Sequence, residues 1–586
     1  MRVPINISRF LGVNEQGNTT LKLGEAEIQN NWRLTDEYKP RVIEGYAELF
    51  EAIAAKSIQG MWYGKIAAAY HFLFACNGHV YDLDLTDNTY DDLGTLTDAP
   101  TFFFYFDGAV YIQNGTEYKK WTGTGSIATV TGYVPILAIA TPPAGGGTPY
   151  EGLNNLTGEK RQWFSGDGAA TQYFIAEQAV TSIDYVKNRV TGVNYTLTTH
   201  YTVDLTAGKV TFVSAPADLE NNVEIKWTKG TGSRAAIEKC RKAIMYNGEN
   251  DSRVFMWGNA DNPNRRYHSG LADVSGTGGV PSAEYFPATN YYEIGTNEFT
   301  ITDIIKQYDR QILVTNGGKA FYSYYDTGPT FPVYPLNDAI GNVAFGQGQL
   351  VLNTPFTVWN GVYRWVSTSV RDERNADYMS KRVQPSLDAV DLSTAITYDY
   401  EKMGEYWLAV GKTVWAYNYR LDAWYKFVLL DTPTCFLEVD GEMYFGTDDG
   451  RIMKFDTALR SFNGENIRAE LYMGFTDAGV ANRVKYLEES HIALKAEAHV
   501  NLDVHWETNK KVPKDTAKSI GYNNLDFDDI DFDDWSFDGN YNPQPFSVKT
   551  KAKDWVYFRH IFISDSDYYT AQIIEASFEP QVGGYL

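Results

Sequence analysis

Cysteine is scarce in this sequence. Its 586 residues include only three, Cys76, Cys240 and Cys435, and these lack the paired spacing of a zinc site. Three separated thiols also do not form the framework of a disulfide-rich secreted fold. We therefore expect free thiols, buried or half-buried, and we predict no metal and no cofactor.

Basic residues are also few. The chain has 51 Lys and Arg against 74 Asp and Glu, a formal net charge of −23, and no continuous basic stretch. Affinity for nucleic-acid phosphates comes from Lys and Arg. A freely accessible nucleic-acid-binding surface is therefore not expected.

Long apolar segments are missing. The longest, from Ile66 to Cys76, is far shorter than a membrane span and contains His71. The first ten residues, MRVPINISRF, contain no apolar core of a signal peptide. We expect synthesis in a cytoplasm, which leaves open where the protein finally works.

Aromatic residues and tight turns are abundant. Aromatics make up 15% of the chain, with 42 Tyr and 14 Trp, a composition that suits pleated sheets. The stretch Gly60–Leu85 shows the recurring pattern: an aromatic run, an Asn77-Gly78 turn and an alternating run. Asn-Gly and Asp-Gly between such runs predict type I′ hairpins. Related hairpins follow at 102–112 and 440–455.

Hairpins recurring at roughly 35 to 50 residues are typical of propeller blades. The sequence thus predicts an all-β protein: a β-propeller of about seven blades with an inserted β-sandwich and a C-terminal β-sandwich. The predicted domains are residues 1–56, an arm with a blade-closing strand; 57–145, the first part of the propeller; 146–232, the inserted small β-sandwich; 233–465, the second part of the propeller; and 466–586, the C-terminal β-sandwich.

We predict that the N-terminal arm contributes a strand to the last blade. Within the arm, Leu23–Trp32 could hold one or two helical turns, and Arg41–Leu49 reads as a strand. The last propeller unit, 434–458, offers only about three good strands. We predict that Arg41–Leu49 completes it, because closure removes an exposed sheet edge that would invite aggregation.

An acidic repeat near the C-terminus suggests a site. Seven Asp occur within the thirteen residues Asp526–Asp538, and clustered carboxylates can bind Ca²⁺, although the spacing is not that of an EF-hand. The favoured interpretation is a solvated, anionic segment whose large apolar residues dock on a sheet or on a neighbouring subunit, and a disordered segment is the remaining alternative. The candidate anchors are Phe527, Ile530, Phe532 and Trp535.

Catalytic constellations are missing from the sequence. No Ser-His-Asp or Cys-His set can be assembled, and the pair Ser165 and Asp167, similar to one copy of a sialidase "Asp box", is better explained as a β-turn. His499 and His505 share a strand face but lie roughly 20 Å apart in an extended strand. We predict that the protein is not an enzyme.

Several phrases resemble propeller-bearing structural proteins of short-tailed bacteriophages. They are GVN, LKLGEA, NNW and PRVIEGY in the arm; DGAVYIQNGTEYKKWTG from Asp107; RVFMWGN from Arg253 with PNRRYHS from Pro263; and the FSGDG, YTVD and GKVTF phrases of the insertion, which resembles a sandwich found in virion proteins. The nearest family is the tail nozzle or tail tube protein.

That resemblance implies a virion structural protein of the viral tail, synthesised in the host cytoplasm. It implies a homo-oligomer, typically a hexameric ring below the portal and adaptor, that contacts other tail proteins. The ring retains the genome and conducts DNA through its lumen without specific binding during ejection, and it can contact the host surface. Because this chain is shorter than many nozzle proteins, a smaller tail-ring or tail-tip protein remains an alternative. Two further alternatives are a tail-tip adhesin that binds host glycan, and a propeller glycosidase.

Overall fold

The computed structural model describes residues 2–17, 21–246, 253–274, 278–325, 331–367, 375–495, 499–510, 517–523 and 544–585. The chain divides into two compact units. One consists of Met1–Gln59, Gly346–Val366 and Ala376–Leu586, and the other of Gly60–Phe345 with Ser367–Asn375. Within the described ranges, no helix is long and apolar enough to span a membrane.

Seven four-stranded antiparallel blades form the propeller; the first five are separate sheets, and the last two are parts of one larger sheet. In chain order, their strands are Ile58–Ile66, Ala69–Cys76, His79–Leu83 and Tyr90–Thr95 (blade one); Phe102–Phe106, Ala109–Gln113, Tyr118–Trp121 and Ala128–Thr129 (two); Lys242–Met245, Val254–Trp257, Arg265–His268 and Tyr291–Glu293 (three); Ile301–Gln307, Arg310–Thr315, Ala320–Tyr324 and Val333–Asn337 (four); Gln349–Val351, Thr354–Val358, Val362–Trp365 and Ala376–Tyr378 (five); Ile396–Tyr400, Glu405–Val410, Thr413–Asn418 and Ala423–Val428 (six); and Pro433–Val439, Glu442–Thr447, Ile452–Asp456 and Gly45–Phe50 (seven). The predicted all-β propeller of about seven blades is confirmed.

The predicted two-residue turns form the hairpins. Asn77 and Gly78 have φ of 50° and 75°, Asp107 and Gly108 have 43° and 80°, and Asp440 has 51°. A type I′ turn needs positive φ at both central residues, which Gly, Asn and Asp tolerate best. Local turn chemistry therefore fixes the register of these strand pairs.

The seventh blade takes its fourth strand from the N-terminal arm. Gly45–Phe50 pairs antiparallel with Ile452–Asp456, so that Tyr46 lies opposite Phe455. The strand is shorter than the predicted Arg41–Leu49. Arg41 belongs instead to Pro40–Val42, which forms a separate hairpin with Trp32–Leu34.

The expectation of helix in Leu23–Trp32 is wrong. Ala26–Asn30 is a strand, antiparallel to Glu465–Met473 and joined by one parallel bridge to Ala423–Val428. A helix here would leave the edge of Glu465–Met473 without these bonds, and tertiary pairing overrides the weak local helical preference.

The insertion is a small sandwich with its own core. One sheet contains Glu159–Gly166, Leu219–Thr228 and Ser182–Asn188, and the other contains Gln172–Phe174, Lys209–Phe212 and Tyr201–Asp204. Their facing side chains form one buried cluster that includes Phe164, Tyr173, Val210, Ile225 and Trp227.

The C-terminal sandwich has two sheets of longer strands. Arg483–Leu494 pairs with Gln544–Trp555, Ile573–Phe578 and Gln581–Tyr585, and the N-terminal strand Ile5–Ile7 adds to Ile573–Phe578. The second sheet joins Glu465–Met473, Phe558–Ser566, His499–Thr508 and Lys518–Asn523. The remaining elements of the chain are the short strands Ala138–Ile139, Thr148–Pro149, Leu271–Ala272, Val280–Pro281 and Ser461–Phe462, the α-turns Ala235–Glu238 and Gln384–Leu387, and the 3₁₀ turns Ser380–Val383 and Leu392–Thr394.

Candidate functional site

The predicted interface anchors cannot be placed. Phe527, Ile530, Phe532 and Trp535 all lie outside the described residues, so their role stays a prediction. In the ranges that the structure covers, no group of three or more His, Cys, Asp or Glu could hold a metal ion.

Two further predictions, on the cysteines and on Asp167, concern residues that the structure describes. Among the described residues, none of the three cysteines is in a disulfide; Cys76 and Cys240 are buried and Cys435 is half-buried, as expected. Asp167 terminates a strand: its Oδ1 accepts hydrogen bonds from the amides of Ala169 and Ala170, at 2.9 and 2.7 Å. These side-chain bonds are those of an Asx turn beside a bend at Gly168 and Ala169, so the carboxylate of Asp167 stabilises the local path of the chain.

A pocket of about 570 Å³ opens at one end of blade one. Its apolar side is made by Tyr63 and Tyr70, whose rings are stacked with centroids 5.4 Å apart. Tyr70 is 63% exposed, and Tyr90, on the last strand of the blade, also lines the pocket. The hairpin turn at Ala67, with φ of 51°, brings the two stacked rings onto neighbouring strands.

The polar side of this blade-one pocket is acidic. Asp82, Asp84 and Asp91 line it, and His71 Nδ1 lies 2.7 Å from Asp82 Oδ2. Burial raises the pKa of Asp82, and the hydrogen bond with His71 opposes that shift. Exposed aromatic faces beside carboxylate acceptors suit a polyhydroxylated ring, which presents C–H groups to the aromatics and hydroxyl donors to the carboxylates.

A second pocket, of about 330 Å³, lies between the arm hairpin and loops of blades six and seven. Its innermost cation is Arg33, which donates to Glu405 Oε1 at 2.7 Å and also to Glu44. Burial works against the charge of Arg33, but Glu405 and Glu44 raise its pKa. The same ion pair lowers the pKa of Glu44 against the opposing effect of burial. These three residues therefore hold the arm hairpin to blade six.

The rim of the second pocket is basic within an acidic protein. Arg41, Lys402, Arg420 and Arg460 line it, with Asp36 as the remaining acid. Arg420 Nη2 donates to the carbonyl of Glu401 at 3.2 Å. This rim can attract an acidic group, although the neighbouring carbonyls already use part of its donor capacity.

The inserted sandwich exposes apolar side chains on its loops. Its loop after Ser182–Asn188 is held by Asn188 Oδ1, which accepts from the amides of Val190 and Thr191 at 3.0 and 3.1 Å. Exposed apolar residues of the insertion include Val190 (67%), Val193 (64%), Leu197 (48%), Val213 (67%) and Leu219 (50%). Val190, Val193 and Leu197 lie in the single connection between Ser182–Asn188 and Tyr201–Asp204. Exposed apolar residues that are grouped mark contact surfaces more often than isolated ones do.

Comparison with known proteins leaves the function open. No family model matches the chain, and no curated protein matches it. Similar solved structures include BamB from Moraxella catarrhalis (8% identity, 78% of this chain and 96% of that chain, TM-score 0.33). Another is Sqt1 from Saccharomyces cerevisiae, with 9% identity over 70% of this chain and 99% of that chain and a TM-score of 0.32. A third is YCF48 from Cyanidioschyzon merolae, with 9% identity over 70% of this chain and 98% of that chain and a TM-score of 0.26. With scores this low, we take the fold from the strand order, and nothing about activity from these neighbours.

Sequence reasoning did not identify the two pockets. Tyr63, Tyr70 and Asp82 all lie in the stretch Gly60–Leu85 that was singled out for its hairpin. Their pattern indicated only a strand pair, because the alternation that predicts a sheet does not show which end of the sheet remains uncovered.

Proposed function

We propose that this protein is a structural subunit of the tail of a short-tailed phage, which assembles as a ring that retains and conducts the genome. The observation that best supports the proposal is the set of exposed apolar residues on the inserted sandwich. The insertion has a complete core of its own, so these side chains are not needed for its folding. A surface of this kind suits contact with another subunit or tail protein.

Assembly can be tested by imaging and mass measurement. Purified protein at rising concentration should form closed rings, six copies being the expected number. The double substitution Val190→Asp plus Val193→Asp should weaken ring formation, because it places charges in the apolar contact. Leu352→Asp is the matched control, since Leu352 is 70% exposed on a turn of blade five. A monomer at every concentration, or rings unaffected by the double substitution, would contradict this surface assignment.

The charge balance supports a conduit. With 74 acidic against 51 basic residues, a ring of this chain would repel duplex DNA, and low-dielectric walls would focus that field inside a narrow channel. Basic groups in the wall would hold phosphates and slow passage. We expect no measurable duplex affinity at physiological salt. Imaging of assembled particles decides the role: a closed ring on the tail axis, with a channel wider than a duplex, is expected. A peripheral appendage with an occluded centre would refute the proposal.

The blade-one pocket favours a second candidate, an adhesin that recognises host glycan. Its stacked tyrosines and carboxylates have the chemistry of sugar recognition. Tyr70→Ala should then abolish signals on a glycan array. Tyr308→Ala is the control, because Tyr308 is 76% exposed on a turn of blade four. Under the nozzle proposal, wild-type protein gives no glycan signal.

For the third candidate, a glycosidase, we expect no turnover of glycan substrates. The blade-one pocket combines carboxylates and aromatic rings, so it is the site at which we test for hydrolysis. Turnover by wild-type protein that disappears in Asp82→Asn would overturn the non-enzymatic assignment.

A further inference from the structure

The second pocket, of about 330 Å³, concentrates positive charge in a protein whose formal net charge is −23. The cations that line it are Arg33, Arg41, Lys402, Arg420 and Arg460. The carboxylates that line it are Asp36 and Glu44, and Glu405 is a further ion-pair partner of Arg33. Counted together, these groups carry five positive charges against three negative ones. An anionic ligand of two charges would balance them.

Arg33 is already neutralised by the protein. Its Nε donates to Glu405 Oε1 at 2.7 Å, and its Nη1 donates to Glu44. Glu405 is 0% exposed, and its Oε2 also accepts from the indole of Trp407 at 2.8 Å. Because two carboxylates hold Arg33 in place, a bound anion would interact mainly with the cations of the rim.

Two rim cations come from neighbouring turns of blade six. Lys402 lies on the turn that precedes Glu405–Val410. Arg420 lies on the turn that precedes Ala423–Val428. Arg420 joins the two turns, because its Nη2 donates to the carbonyls of Glu401 and Lys402 at 3.2 and 3.4 Å. Both cations are exposed, so a ligand can reach them from solvent.

The donors of Lys402 and Arg420 suit a phosphate group. A guanidinium carries five N–H donors in a planar fork, and an ammonium carries three. Among the described residues, the side chain of Arg420 donates only from Nη2, so Nε and Nη1 can donate to ligand oxygens. Charge-assisted bonds from Arg and Lys to phosphate are among the stronger hydrogen bonds in proteins.

The same pocket has an apolar side. Leu34, Val42 and Met403 line it, and Met403 packs against a buried apolar cluster. A volume of about 330 Å³ lies at the lower end of the range for small-molecule sites. The pocket therefore has room for a compact organic molecule as well as for its charged group.

We propose that this second pocket binds the phosphate monoester of a small organic molecule, either a sugar phosphate or a nucleoside monophosphate. A phosphate monoester carries close to two negative charges at neutral pH, which matches the excess of positive charge. Its terminal oxygens accept hydrogen bonds from Lys402 and Arg420. Its organic part packs against the apolar side of the pocket.

Calorimetric titration with glucose 6-phosphate and with adenosine monophosphate tests the ligand class, and the tighter of the two identifies the organic part. At least one ester should saturate a single site per chain. Glucose 6-sulfate carries one charge fewer and should bind about tenfold more weakly than glucose 6-phosphate, and inorganic phosphate should bind more weakly than the preferred ester. No saturable binding of either ester, or equal binding of the sulfate or of inorganic phosphate, would overturn the proposal.

The decisive variant is Lys402→Gln plus Arg420→Gln. It removes both exposed cations, so it should weaken binding of the preferred ester about 100-fold and leave the melting temperature near the wild-type value. Lys412→Gln is the matched control, because Lys412 is exposed on another turn of blade six and does not line the pocket. If the double variant fails to fold, Lys402→Gln alone should weaken binding about tenfold. Unchanged affinity in the folded variant, or an equal loss in Lys412→Gln, would refute the assignment.

Discussion

Tyr46 offers a sharp test of how the seventh blade is held closed. Its side chain is 0% exposed on the strand Gly45–Phe50. The hydroxyl donates to Asp431 Oδ2 at 3.0 Å and accepts from the amides of Leu430 and Asp431, at 2.9 and 3.1 Å. The ring packs on Phe445, Phe455 and Phe462, with centroid distances of 5.0, 5.2 and 4.6 Å.

Tyr46→Phe keeps these ring contacts and removes the hydroxyl. The carboxylate of Asp431 retains Arg451 as a partner, at 2.5 Å, so the loss falls mainly on the two amides. The amide of Asp431 is buried and that of Leu430 is partly buried. An unsatisfied buried donor costs about 1–3 kcal/mol, and a partly exposed one costs less because water can replace its partner. We therefore expect a destabilisation of about 2–4 kcal/mol.

Hydrogen exchange measured by mass spectrometry can detect this loss of stability in individual strands. Exchange in Ile452–Asp456, the strand paired with Gly45–Phe50, should become about 30- to 1,000-fold faster, since 1.4 kcal/mol corresponds to a factor of ten. Tyr308→Phe is the control, because its hydroxyl is on an exposed turn. An acceleration of less than about threefold in Tyr46→Phe would refute the claim that this hydroxyl anchors the closing strand.

Two further predictions come from the structure and a third comes from the sequence. Replacing 146–232 by a short Gly/Ser bridge should leave a soluble propeller that unfolds cooperatively, because the insertion has its own core; aggregation would show that the propeller depends on it. Burial, with Glu401 and Glu438, raises the pKa of Asp399 to about 7. The folded state therefore binds the extra proton, and this contribution to stability is present at low pH and lost as pH rises towards 7. Thermal melting of Asp399→Asn should lack that component, and an unchanged pH profile would contradict the assignment. Phe532→Ala plus Trp535→Ala should weaken ring assembly measured by sedimentation; if calcium instead sharply raises the melting temperature and a chelator lowers it, the acidic segment is a cation site.

Local features of the fold could be predicted from the sequence. The pairs Asn77-Gly78 and Asp107-Gly108 determine their own turns, because positive φ at both positions is a property of those residues. Strand alternation around them then predicts a sheet. The number of blades follows from counting such units.

Pairings between distant segments could not be predicted in the same way. Ala26–Asn30 is a strand only because Glu465–Met473 lies beside it, and no residue near it in sequence carries that information. Arg266 reads in the sequence as an ordinary strand residue. In the structure it is fully buried and donates to Gln311 and to the carbonyl of Phe331, both distant from it in the chain.

The strand that closes blade seven, Gly45–Phe50, also affects how the protein folds during synthesis. Gly45–Phe50 leaves the ribosome roughly 400 residues before its partner Ile452–Asp456, which at about 5–20 residues per second is a wait of some 20–80 s. Throughout that time, the edge of the strand has no native partner in blade seven, while six other blades are being made. Closure by a late, long-range contact of this kind slows folding. The nascent chain therefore passes through a period in which pairing between neighbouring copies competes with completion of its own ring of blades.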